Sequence, residues 1–134
     1  MYLTKKIILA FFLVCAVTTV STTAIAAGKI ENATLEEIKA SIDTTIERSE
    51  KALAALEKGA DKEAVLTLLR DTKQMAKEIH ATRRSAIYKS KAGTQMKKAR
   101  AAAKKGDLET AKEHVAKGVD FYKQLKEAFL QANE

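Results

Sequence analysis

Two stretches of this chain carry the same punctuation. One reads Lys51-Ala-Leu-Ala-Ala-Leu-Glu-Lys58-Gly59-Ala60-Asp61, the other Lys98-Ala-Arg-Ala-Ala-Ala-Lys-Lys105-Gly106-Asp107. In each, a run of good helix formers ends in Lys-Gly and restarts at an Asp. Glycine accepts the left-handed backbone that closes a helix C-terminus, and aspartate is a favoured N-cap. Each stretch therefore predicts two helices joined by a tight reversal, which leaves them antiparallel and side by side. Two such corners predict two helical hairpins. A shift of 47 residues lays Lys51, Ala52, Lys58, Gly59 and Ala64 on Lys98, Ala99, Lys105, Gly106 and Ala111. A duplicated hairpin and two independent Ala/Lys-rich turns both account for that match.

Hydrophobic spacing supplies the rods between the corners. Thr34-Leu35-Glu36-Glu37 is a capping box, and Leu35, Ile38, Ile42, Ile46, Leu53 and Leu56 recur at helical spacing, so the first helix is expected over about 34–58. After Asp61 the stripe is Val65, Leu68, Leu69, Thr72, Met75, Ala76 and Ile79. The next position in phase is Arg83, a poor core residue, which places a break between His80 and Ser85. Without one, a helix over 61–105 would be about 67 Å long, too long for so small a domain. Gly93 is the competing break. The third helix, about 84–105, presents Tyr88, Ala92, Met96, Ala99 and Ala103. The fourth follows Asp107 with Leu108, Ala111, Val115, Val119, Tyr122, Leu125 and Phe129. Gly118 interrupts that last helix, either to admit a close neighbour or at a cost in helix stability. The expected fold is all-α: an antiparallel up-down four-helix bundle over 34–134, made of two helical hairpins and preceded by a signal-peptide helix.

The N-terminal residues have a different character. Lys5-Lys6, an apolar run from Ile7 to Val17, and Ala24-Ile25-Ala26-Ala27 form the charged, apolar and cleavage regions of a secretory leader. Residues 1–27 are accordingly expected to be cleaved, with 28–33 as a flexible tail. A retained anchor is the alternative, but the apolar run is short for a membrane span. Cys15 is the single cysteine and lies in that run; Val14 before it is not the small residue that lipid attachment wants. The mature chain would be periplasmic or secreted, without a thiol, a disulfide or a membrane span.

Charge is unevenly placed. From Thr82 to Lys105 there are nine basic residues and no acid. With Lys5 and Lys6 removed the net charge is +5, so the rest of the mature chain is acidic overall. Internal complementarity between an acidic body and one basic helix is the first expectation. The second is an anion-binding face using Arg83, Arg84, Lys91, Lys98 and Lys105, with an anionic surface or acidic protein as partner. Nucleic acid is not expected, because Tyr88 is the lone aromatic among these cations and base stacking needs several.

Other chemistry is sparse. No Ser–His–acid or Cys–His order and no Gly-rich phosphate loop is recognisable, so no enzyme activity is expected. His80 and His114 are the two histidines, each bordering an apolar stripe. A shared divalent-metal site would need both, or one of them with a carboxylate or thioether. The segments Lys51 to Arg84 and Met96 to Ala128, each a helix, a glycine turn and a second helix, resemble the small metal-binding protein family of the bacterial periplasm. That resemblance implies a helical bundle, an exported location and binding of a divalent metal such as copper through histidines. This chain has His80 and His114 for that role, with Lys, Arg or Leu at most other places. Three functions are therefore expected in turn: a weak periplasmic metal binder, an interaction or chaperone-like module for an anionic partner, and a stress-related structural protein with no small ligand.

Overall fold

The computed structural model describes residues 33–134. The expected leader, and all but the last residue of the expected tail, lie outside the described residues. Four helices make up the described chain: α1 (Leu35–Glu57), α2 (Lys62–Lys77), α3 (Ala86–Lys104) and α4 (Leu108–Gln131). The all-α four-helix bundle read from the sequence is the fold. Each helix packs on its two neighbours in ring order, with α4 closing back on α1. The α3–α4 seam is the most extensive and the α2–α3 seam the thinnest.

The local rules act as the sequence suggested. Thr34 and Glu37 form the reciprocal capping box: the Glu37 N–H donates to Thr34 Oγ1 (3.2 Å) and the Thr34 N–H donates to Glu37 Oε2 (2.8 Å). Gly59 and Gly106 sit at φ +75° and +80°, the left-handed region. At both corners a six-residue backbone bond seals the helix end, from the Ala60 N–H to the Ala55 carbonyl (2.9 Å) and from the Asp107 N–H to the Ala102 carbonyl (3.0 Å). Asp61 and Asp107 then cap the helices that follow, accepting from Ala64 and Thr110 N–H groups at 2.8 and 3.1 Å.

The break after α2 comes as expected, with α2 ending at Lys77 and α3 starting at Ala86; Gly93 lies inside α3. Ile79 is buried and pins the connection, and a continuous helix would have driven Arg83 into the core. The Lys89 ammonium donates to the Ile79 carbonyl at 2.6 Å, satisfying a backbone acceptor just past the end of α2. Ser85, also buried, closes the turn with its hydroxyl 2.9 Å from that of Thr82.

Inside the ring lie Ile42, Val65, Leu69, Ile79, Val115, Tyr122, Leu125 and Phe129, with alanines covering the face of α3. Alanine lets α3 come close to α4. A Cβ placed on Gly118 would stand 2.6 Å from Met96 Cε, so this glycine makes room for the methionine. Two features of α1 depart from the apolar stripe. Leu35 is 55 % exposed, because it opens the helix beyond the last packed layer. Thr45 and Ser49 are fully buried instead, their hydroxyls donating to the Ser41 and Ile46 carbonyls at 2.8 Å each. A short hydroxyl satisfied within its own helix enters a core at little cost, which a count of large apolar residues does not register.

Candidate functional site

The thin α2–α3 seam opens into a cleft of about 360 Å³. Its existence follows from side-chain size. α3 presents Gly93 here, with nothing within 4 Å of where a Cβ would be, and α2 presents the small Ala76. The rest of the floor is apolar: Leu69 from α2, Met96 from α3 and Tyr122 from α4. All the other lining residues are cations: Lys73 and Lys77 from α2, Lys89, Lys97 and Arg100 from α3. Among the described residues no carboxylate lines it. Lys73 and Lys77 are one turn apart, and Lys89, Gly93, Lys97 and Arg100 follow at successive turns along one stripe of α3.

These cations are not neutralised within the bundle. The ion pairs among the described residues are Lys51–Glu47 (2.9 Å), Lys112–Glu109 (3.0 Å), Lys123–Glu50 (2.8 Å) and Lys126–Asp43 (2.6 Å). The last two join α4 to α1. None reaches the basic segment 82–105, so among the described residues the acidic body and the basic helix are not joined by close ion pairs. α1 carries much of the acid but neighbours α2 and α4, while α3 stands diagonally across from it.

Lys89 is the most constrained of the cations. It is half-buried, and burial pushes its ammonium below the ordinary lysine range with no carboxylate to restore it. Only one of its three donors is spent on the Ile79 carbonyl. Tyr122, 1 % exposed, lines the same cleft. Burial pushes this phenol up to about 12. The folded state keeps this proton to higher pH than the unfolded chain, so the stabilisation is intact below the unfolded value of about 10 and is lost as pH rises above it. Stability followed by alkaline titration is expected to fall between about pH 10 and about pH 12 in the native chain. A Tyr122→Phe variant should show a shallower fall there; an identical slope in both chains would contradict this assignment.

The residues singled out from the sequence are dispersed. Arg83 and Arg84 are exposed in the connection before α3, and Lys98 and Lys105 are exposed on α3 and at its C-terminal cap. Lys91 faces the α4 side, with its Nζ 5.9 Å from the Tyr88 ring centroid and 5.6 Å from that of Phe121. None of these five lines the cleft. Sequence reasoning passed over Lys73, Lys77, Lys89, Lys97 and Arg100. The signal was present as cations at one-turn spacing around Gly93, but nothing in one strand of sequence says which two helices will face each other there.

The histidines sit apart in a similar way. His80 is exposed in the connection after α2, next to the Ile79 carbonyl that Lys89 reaches. His114 is half-buried on α4, with its ring Nδ1 donating to the Gln95 side-chain oxygen at 2.8 Å. Lys89 and Gln95 are six residues apart on α3, about 9 Å along the helix axis. The two histidines thus attach to different levels of the bundle. Among the described residues no group of three or more His, Cys, Asp or Glu side chains is placed to hold a metal ion. No described helix is long and apolar enough to cross a membrane. Comparison of the chain with protein-family models, curated proteins and solved structures finds no match.

Proposed function

We propose that this protein is an exported, non-enzymatic binding module that holds an anionic partner against the α2–α3 face. One observation carries the reading: five cations from two helices converge on one cleft that no carboxylate shares. A bundle built only for stability would gain by pairing these charges, as it pairs Lys123 and Lys126 with α1. Crowding like charges along a thin seam costs stability unless something negative occupies it. The leader-like Lys5-Lys6, apolar and Ala-x-Ala segments support an exported location.

The test is retention on a heparin column. Salt-dependent retention is expected, because screening weakens exposed charge contacts. Replacing Lys73, Lys97 and Arg100 together by Gln should move elution to clearly lower salt. Replacing Lys51, Lys123 and Lys126 by Gln removes the same charge from residues already paired with acids, and should move it much less. Equal shifts would show that only net charge matters and would overturn the reading.

A further inference from the structure

The cleft has two chemistries, and the anion reading uses one of them. Cations alone need no cavity: an acidic protein or a polyanion can be held on a convex face. Here the cations surround an apolar trough floored by Leu69, Ala76, Gly93 and Met96. Its volume of about 360 Å³ lies at the small end of ligand pockets. The trough is long. Lys89 and Arg100 mark its extent on α3, eleven residues apart, which is about 16 Å of helix. So small a volume drawn out over that length is narrow, and suits one extended chain better than a fused ring system. Apolar surface left open between two helices favours an occupant that removes it from water.

We infer that the α2–α3 cleft is a binding site for a single-chain anionic amphiphile, its hydrocarbon chain lying on Leu69, Ala76, Gly93 and Met96 and its charged head on Lys89 and the neighbouring cations. This rests on the anion-binding reading and adds the class of ligand. Lys89 is the natural seat for the head, because it is half-buried and, among the described residues, meets no carboxylate and spends one donor, on the Ile79 carbonyl. Lys73, Lys77 and Lys97 line the trough and are exposed, and a lysine in that setting can offer its methylene stem as apolar wall while its ammonium stays in water.

Gly93 provides the discriminating variant. Nothing lies within 4 Å of its missing Cβ, so the Cβ of Gly93→Leu meets no neighbour and its isobutyl group takes up space in the trough. It keeps every charge, and it replaces a poor helix former in α3 by a good one. Binding of monomeric dodecanoate, below its micelle concentration, would be measured by calorimetry on the native chain, Gly93→Leu and Lys89→Met, with circular dichroism to confirm that each is folded. Saturable one-to-one binding is expected to the native chain. It should be abolished in Gly93→Leu and weakened about ten-fold or more in Lys89→Met, the value of a charge-assisted hydrogen bond. Heparin retention of Gly93→Leu should be unchanged, so loss of the trough is separable from loss of the cationic face. Unaltered dodecanoate binding in Gly93→Leu would overturn the cleft. Dodecanol binding as tightly as dodecanoate would overturn the charged head. Retention only on phosphatidylglycerol vesicles, with no binding of the monomer, would overturn the inference in favour of a membrane surface.

Discussion

Leu125→Ala is expected to cost this bundle about 3 kcal/mol, enough to lower its melting temperature by roughly 15 °C. Leu125 is fully buried on the inner face of α4, the helix that packs extensively on α3 and also closes on α1. Truncation there loses the transfer free energy of the side chain and leaves a cavity. The surrounding core is close-packed and relaxes only partly around such a cavity. Leu130 on the same helix is 38 % exposed and serves as the control, since its truncation should cost under about 1 kcal/mol. Thermal and urea unfolding followed by circular dichroism would measure both. Equal losses at the two sites would mean that the inner face of α4 is not packed as described.

The second large effect concerns the corners. Valine at both Gly59 and Gly106 should cost about 1–2 kcal/mol per site, because an L-residue in the left-handed region brings its Cβ against the following carbonyl. That cost is one of backbone conformation alone, since nothing lies within 4 Å of either missing Cβ. Asparagine at the same sites should recover part of the loss, because it enters the left-handed region more readily than other residues. A contact-driven loss would instead grow with side-chain size and make asparagine as damaging as valine. Unfolding midpoints of the double valine and double asparagine variants decide between these outcomes.

Those corners were also the most legible part of the chain. Lys-Gly followed by Asp is read by local physics alone: the glycine's φ, the six-residue backbone bond and the aspartate cap all form within a few residues. The periodic stripes were legible for the same reason, since burial of Val65, Leu69, Val115, Val119, Tyr122, Leu125 and Phe129 follows from spacing along one helix. The break before α3 could be inferred because Arg83 would otherwise have entered the core.

Less of the candidate site could be read. The abundance of cations between Thr82 and Lys105 was plain, but sequence alone put Arg83, Arg84, Lys91, Lys98 and Lys105 forward, and the structure sends them to four different places. Lys91 illustrates the difficulty: two positions from Lys89, it lies over the Phe121 ring on the α4 side while Lys89 lines the cleft. On a helix two residues apart are nearly opposite, so one composition serves two unrelated faces.

Taken by itself, the sequence carried much of what depends on neighbours along the chain: that four helices form, that two glycine corners reverse them, and most of the apolar face of each. Tertiary structure alone decided the ring order, and with it the fate of the charges. Because α3 stands across from α1 and not beside it, the acids of α1 meet lysines of α4, and the cations of α2 and α3 are left facing one another over an apolar trough. Backbone hydrogen bonds and caps act over a few residues of chain, whereas ion pairing and cavity formation depend on which helices become neighbours in space.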